Sequence, residues 1–325
     1  MKTISVIIPC YNGWKFFKRC MDSLENQTVC IDEVIIIDDC STDDSYEHLI
    51  EYCHKSKLNV KILRNTTNVG PGKTREVGIK NASSEYIAFC DCDDWYEPSF
   101  AEIAKKQIEK NPLDILIFDT FTAFENGTRN ADHIISKLIG KDKAYILANY
   151  PMSLCRLVVR KELLENVVHS NLRHGEDGVV VSQVIAKASK IVVINNPLYN
   201  YLFRIDSVSK KPSKQTSDDL LNAFQIIRRN ISHEYEQEVE YIGINYVCYS
   251  AVLCGLKSGI SKYKLNEIMS EYEKIYPDWL NNKYLKEMGK SKVTYLKLVK
   301  VRNYSLLAAL TALHPILVKL KRKIS

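Results

Sequence analysis

Four short apolar runs fall within the first 90 residues, separated by segments of helical period, and this rhythm constrains the fold more than any other feature. ISVIIP (4–9) is a continuous β-branched run, as in a strand buried on both faces. After it Trp14, Phe17, Cys20, Met21 and Leu24 recur at helical spacing, with Asn12 as the expected N-cap. EVIIID (33–38) reads as a second buried strand, and Thr42 or Asp43 can cap a helix carrying Tyr46, Leu49, Ile50 and Cys53. NVKIL (59–63) is a third strand, NVGPG (68–72) a loop leading into a helix, and YIAFC (86–90) a fourth strand. Such alternation predicts an α/β fold with a mostly parallel, Rossmann-like central sheet.

In sheets of this kind ligands bind beyond the carboxyl ends of the strands. Three of the four strands end in polar clusters, PCYN, DDCSTD and DCDDW, all at one edge. Asp91 and Asp93 are two apart and can embrace one hard cation, with Mg²⁺ or Mn²⁺ favoured by oxygen ligands. The plainer reading is a solvated turn in which Asp94 caps the next helix. Asp38 or Asp39 can accept from a ring N–H, or simply serve a turn. TNVGPGKTREVGI (67–79) offers backbone N–H groups, a helix start and two cations, Lys73 and Arg75, which together suit a pyrophosphate. It is neither a P-loop nor a GxGxxG turn.

Further along, 97–110 reads as helix, DILIFDTFTAF (114–124) as strand, VVVSQVIAKAS (179–189) as helix and KIVVIN (190–195) as strand. From about Ser217 the period is helical to the end, interrupted near Pro277, and KKPSKQ (210–215) is the best linker. These features divide the chain into 1–212 and a helical 213–325. The net charge of +6 is unevenly placed: residues 281–325 hold eleven Lys and Arg against one acid. A basic tail suits an anionic surface. Tyr295, Leu296, Val299, Leu306, Leu307, Leu310, Leu313, Leu317 and Leu320 interleave with these charges as in an interfacial helix. Packing on the domain or in a dimer is the alternative. The apolar run 305–318 contains His314 and Pro315 and is too short to span a bilayer. MKTISVIIPCYN lacks the features of a signal peptide, and ten cysteines without a CxxC pair read as reduced thiols of a cytosolic protein.

The ordered set SVIIPCYN, DEVIIIDDCSTDDS, NVGPGKTREVGI and SSEYIAFCDCDDWYEP resembles the N-terminal half of a family 2 glycosyltransferase of GT-A fold, of the bacterial surface-polysaccharide type. The resemblance extends through LCRLVVRKELLE, HGEDGVVVSQVIAKASKIVVI and PLYNYLFRIDSVS, to about residue 210. It implies a nucleotide-sugar-binding half, 1–110, and an acceptor half, 111–212. It further implies that Pro9, Tyr11 and Asp39 hold the base of a UDP-sugar, with Asp39 on the uracil N–H and Arg75 near uracil or phosphate. The DxD motif maps to Asp91-Cys92-Asp93, with Mn²⁺ or Mg²⁺ bridging to the diphosphate. The ED motif maps to Glu176 and Asp177, with Asp177 as the base that activates an acceptor hydroxyl and Glu176 as the alternative. The same two acids also suit a helix N-terminus. A single displacement with one base inverts the anomeric centre. The implied partners are a UDP-sugar and a saccharide or lipid-linked acceptor, and the expected place is the cytoplasm, with the basic tail as the feature that would attach the chain peripherally to the inner face of the plasma membrane.

The chain departs from the family pattern at Cys40, where a glycine is usual, at Thr74 and Glu76 in place of Ala and Asn, and at His169, where an aromatic is frequent. Rival enzymes fit less well. A nucleotidyltransferase wants a Gly-rich, basic turn after the first strand, which PCYNGWK does not supply. A DxDx[TV] phosphatase fails at Asp94-Trp95. A nucleic-acid binder using the basic tail leaves the strand-end clusters unexplained.

Overall fold

The β-branched runs occupy the middle of one sheet. β1 (Ile4–Cys10) and β2 (Glu33–Asp38) are almost wholly buried. Each fully buried Ile or Val there contributes about 1.5–3 kcal/mol relative to exposure. A computed structural model describes residues 2–110, 112–204 and 213–312 of the chain, which divides into two units, Met1–Ser207 and Val208–Ser325.

In the first unit, β3 (Val60–Arg64), β2, β1 and β4 (Tyr86–Phe89) run parallel. The sheet continues through β8 (Leu157–Arg160), β6 (Ile115–Phe124), β9 (Ile191–Phe203) and the two-residue β5 (Trp95–Tyr96). β8 is antiparallel to β4 and β6, β9 is parallel to β6, and β5 is antiparallel to β9. β7 (Arg129–Ala131) pairs with β6. The sheet is thus mixed but largely parallel, as expected. Helices α1 (Trp14–Glu25), α2 (Ser45–Lys55), α3 (Pro71–Asn81), α4 (Phe100–Lys110), α5 (Lys143–Asn149), α6 (Lys161–Glu165) and α7 (Glu176–Lys187) complete it. α3 lies so close to the sheet that a Cβ on Gly78 would sit 2.5 Å from Cγ2 of Ile7 and 2.9 Å from Cδ1 of Ile37.

Several local expectations change. Asn12 does not cap α1: it has φ 49°, and its Oδ1 accepts from the Thr42 N–H at 2.9 Å. α2 starts at Ser45, after Asp44, and Asp43 accepts from the Ser45 N–H within the preceding turn. The last strand runs past Asn195 to Phe203, because its far half continues beside β6 through Phe203 after a register shift and also takes the two residues of β5 on its other edge.

The second unit is helical. α8 (Lys214–Asn230) opens on a capping box between Ser213 and Thr216. α9 (Glu236–Gly243), a π-helical stretch Ile244–Ala251 and α10 (Val252–Lys257) follow, then α11 (Lys262–Glu273) and α12 (Lys290–Lys300). His233–Lys257 is long and apolar enough to cross a membrane, but most of it is buried in this unit, as in a core helix. The expected interfacial stripe splits. Leu296, Val299 and Leu307 are buried, whereas Leu306 and Leu310 are exposed, as is Val301 outside that stripe. Leu313, Leu317, Leu320, His314 and Pro315 lie outside the described residues.

Candidate active site

The ends of β1 and β2 are tied together before any ligand is considered. The Asp39 N–H donates to the Cys10 carbonyl at 2.7 Å, and the Asn12 N–H to Ser41 Oγ at 2.9 Å. Asp38 is buried, faces Arg64 at 3.1 Å and accepts from the Ser41 N–H, so it serves the turn. Asp39 is also buried, and it anchors the loop that follows β3. Its Oδ1 accepts from Asn65 Nδ2 at 2.8 Å and the Val69 N–H at 3.0 Å, and its Oδ2 from the Gly70 N–H at 2.9 Å. One lone pair remains on Oδ2 for an outside donor. Pro9 is half-buried, and the Tyr11 ring is 47% exposed, so this end of β1 offers an open aromatic surface beside Asp39.

Between Asp39 and Cys40 the chain enters the left-handed region: Cys40 has φ 61°, the conformation glycine adopts without strain. The family's glycine is explained by this geometry, and the cysteine here bears it with a side chain.

The DCDD turn is held from several directions. Asp94 is 1% exposed, its Oδ1 accepts from the Leu202 N–H and its Oδ2 from the Tyr199 hydroxyl, both at 2.7 Å. Tyr199 also accepts from the Asp91 N–H at 3.1 Å, so one phenol fixes both ends of the turn. Asp94 is therefore a buried anchor, neither a solvated acid nor a helix cap. Burial, then the charges of Asp93 and Asp91, push its carboxyl well above the usual range. Cys92 turns inward, where it hydrogen-bonds with Cys10, and this contact with burial holds its thiol far above the ordinary value. A Cβ on Gly13 would lie 2.6 Å from the Cys92 sulfur.

Asp91 and Asp93 remain as the outward carboxylates, each already facing an arginine. Asp91 Oδ1 accepts from Arg75 Nη2 at 2.7 Å, and Asp93 Oδ2 from Arg204 Nη2 at 2.6 Å. Arg19 donates to the Asp93 carbonyl at 2.8 Å while lying 3.8 Å from the Trp95 ring centroid. Burial and the neighbouring Asp91 raise the Asp93 carboxyl. Among the described residues no three His, Cys, Asp or Glu side chains form a complete cation cage. Two hard carboxylates do fit part of an octahedral Mg²⁺ or Mn²⁺ shell, with the remaining oxygens supplied by something else, as a diphosphate would.

Arg75 joins this turn to the start of α7. Its guanidinium, 5% exposed, reaches Asp91 through Nη2 and Asp177 through Nη1 at 2.9 Å, with Glu176 3.8 Å away. Asp177 Oδ2 accepts from the Leu154 N–H at 3.2 Å. Burial, then the charge of Asp177, push Glu176 up to about 8. Burial also raises Asp177, but the adjacent guanidinium opposes this. Burial thus favours the neutral form of both acids, and the Arg75 guanidinium offsets this at Asp177. α3 approaches this corner closely: a Cβ on Gly72 would fall 2.6 Å from the Ser170 carbonyl and 3.1 Å from the Glu176 Cβ.

Asp91, Asp177, Glu176 and Arg75 thus converge, as do Tyr11, Pro9 and Asp39 at the neighbouring strand ends. Lys73 does not join Arg75. Two positions apart on α3, the two cations point to opposite faces, and Lys73 pairs with Glu76 at 2.7 Å. Tyr199 escaped the sequence reading, although the quoted PLYNYLF contains it, because its role depends on the β5–β9 pairing. Arrangements of this kind can hold an anionic leaving group at one side of a cleft and a base at the other.

Residues 5–161 match the model of Glycosyl transferase family 2. Among curated relatives, the chain is similar to glycosyltransferase GlyG of Streptococcus pneumoniae serotype 4, 26% identical over 275 residues, covering 73% of this chain and 89% of that protein. It is similar to the poly(ribitol-phosphate) beta-N-acetylglucosaminyltransferase TarS of Staphylococcus aureus strain Mu50, 26% identical over 234 residues, covering 70% of this chain and 40% of the relative. A poly(ribitol-phosphate) beta-glucosyltransferase of Bacillus spizizenii is 30% identical over 218 residues, covering 62% and 32%. Residues 1–349 of S. aureus TarS, solved in complex with UDP-GlcNAc, share the fold with TM-score 0.66 at 20% identity, over 96% of this chain and 91% of that one. The fold is therefore the GT-A architecture.

Proposed function

We propose that this chain, a glycosyltransferase belonging to family 2, moves a hexose or N-acetylhexosamine from a UDP-sugar to an acceptor hydroxyl in cell-surface polysaccharide synthesis, with inversion at the anomeric carbon. The observation that carries the reading is Arg75 held between Asp91 and Asp177. It puts the carboxylate suited to the leaving group and the carboxylate suited to the acceptor on one guanidinium. The UDP-GlcNAc complex of the similar TarS fragment supports UDP as the nucleotide.

Tyr11 offers its ring to uracil, and the remaining lone pair of Asp39 accepts the uracil N–H. Asp91 and Asp93 would hold Mn²⁺ or Mg²⁺, which when bound supplies Lewis-acid stabilisation of charge on the departing diphosphate. Asp177 accepts the proton of the acceptor hydroxyl as that oxygen bonds to the anomeric carbon and the bond to UDP breaks. Glu176, next to it at the start of α7, is the alternative base. Arg75 orients Asp177 and Asp91 on one guanidinium.

The exposed Val301, Leu306 and Leu310, with the basic residues of 281–325, support attachment to anionic lipid at the cytoplasmic face of the membrane. The functional test is turnover of UDP-GlcNAc and other UDP-hexoses in Mn²⁺, by wild type and Asp177→Asn. The reading expects released UDP with one donor and at least a hundredfold loss in the variant. Full activity of Asp177→Asn would remove the base assignment.

A further inference from the structure

Arg75 is not alone in joining Asp91 to Asp177. The short 3-10 turn Leu154–Arg156, between α5 and β8, also reaches both acids. The Leu154 N–H donates to Asp177 Oδ2 at 3.2 Å, and the Cys155 thiol lies 3.7 Å from Asp91 Oδ2. Arg75 takes Oδ1 of each acid, so the turn takes the oxygen that the guanidinium leaves open. The turn itself is tied at both ends. Ahead of it, the Tyr150 hydroxyl donates to the Ser153 carbonyl at 2.7 Å. At its close, Arg156 is 8% exposed and forks between two acids of the β6–β7 hairpin. Its Nη1 donates to Asp119 Oδ1 at 2.9 Å and its Nη2 to Asp132 Oδ2 at 2.6 Å. Both acceptors are fixed in their turn. Asp119 is buried within β6. Asp132 donates its N–H to the Thr120 carbonyl at 2.9 Å and accepts from the Thr120 and Thr122 hydroxyls, both at 2.7 Å. Desolvation offsets most of the attraction in a buried ion pair, so stability alone does not account for this one. What the planar fork does supply is a fixed direction.

We propose that Arg156 is a positioning residue for the base Asp177: by locking the turn onto β6 and β7, it holds the Leu154 N–H on Asp177 Oδ2. This rests on the glycosyltransferase reading above. With Oδ1 turned to Arg75 and one lone pair of Oδ2 taken by Leu154, the carboxylate has a single orientation, and its remaining lone pairs point in set directions. A base must come within hydrogen-bond reach of the hydroxyl it deprotonates, about 2.6–3.2 Å. Drift of the turn by about 1 Å is therefore enough to cost rate. Nucleotide binding is expected to be independent of Arg156, because Asp39 is held by Asn65, Val69 and Gly70 instead.

The test is UDP release from UDP-GlcNAc and UDP-glucose in Mn²⁺ by wild type, Arg156→Gln, Asp177→Asn and the double variant, with UDP affinity titrated by calorimetry without Mn²⁺. Arg156→Gln is expected to lower kcat at least about tenfold, with KM for the donor and UDP affinity close to wild type. In the Asp177→Asn background the same substitution should change turnover by less than about twofold, because no base is left to position. A purely structural role would reduce turnover by one factor in both backgrounds. Arg156→Lys, which can keep one of the two contacts, should recover part of kcat. Asp132→Asn weakens only the less buried arm of the fork and should reproduce the pattern more weakly, so a folding defect in Arg156→Gln does not decide the matter. Wild-type kcat in Arg156→Gln, or an equal loss in both backgrounds from Arg156→Gln or Asp132→Asn, would overturn the proposal. Full activity of Asp177→Asn, or no UDP release by wild type, would count instead against the reading on which it rests, and the proposal would fall with it.

Discussion

Arg75 and Asp177, 102 residues apart in the chain, meet in an ion pair of 2.9 Å whose arginine is almost fully buried. The second terminal nitrogen of the same guanidinium holds Asp91. Arg75→Lys keeps the charge but loses the planar fork that serves two carboxylates at once. Arg75→Ala leaves Asp91 and Asp177 without their buried counter-charge, which costs on the order of 3–5 kcal/mol. Urea denaturation of both variants should show a larger loss for Ala than for Lys. Turnover of a UDP-hexose should fall strongly in each, since lysine cannot orient both acids. Wild-type activity in Arg75→Lys would mean that the bridge is only packing.

Cys40 bears a conformation that suits glycine. A non-glycine residue there costs on the order of 1 kcal/mol. Cys40→Gly should raise unfolding stability by about this much, reduced by the flexibility glycine adds to the unfolded chain, and leave turnover close to wild type. Its thiol reaches only the Thr66 carbonyl, at 3.7 Å, so little else is removed. A clear destabilisation would show that the cysteine side chain makes a contribution beyond the turn.

Glu176 gives a signed pH dependence. Its carboxyl rises from 4.5 in the unfolded chain to about 8 in the folded one, chiefly through burial and then through Asp177. Between those values the folded state binds the extra proton, so this group's contribution to stability is present below the lower value and is lost as pH rises through the upper one. The slope approaches about 1.4 kcal/mol per pH unit. Denaturation midpoints of wild type and Glu176→Gln, compared from pH 5 to 8.5, should diverge in favour of the variant as pH increases. Parallel curves would place the proton elsewhere.

Much of the site was legible because its residues sit at strand ends, and strand ends follow from local patterning. Asp39, Asp91 and Asp93 are each adjacent to an apolar run that can only be a buried strand. What they bind inside the protein was not legible. Asp39 looked like a free acceptor, yet its oxygens hold Asn65, Val69 and Gly70, contacts about 30 residues away in sequence. Arg75 and Lys73 looked like one cationic pair, but helical geometry sends them to different faces. Tyr199 became visible only once β9 paired with β5. Asp94 read as a surface cap until Leu202 and Tyr199 enclosed it. In each case the missing information was a long-range partner that local periodicity does not encode.

The central claim is that Asp91 and Asp93 hold the diphosphate of UDP through a divalent cation. It is tested most directly by titrating UDP into wild type and Asp93→Ala, with and without Mn²⁺, by calorimetry. The account predicts that Mn²⁺ strengthens UDP binding at least tenfold in wild type and that this gain disappears in Asp93→Ala. UDP binding of equal strength with and without Mn²⁺ in wild type would contradict it.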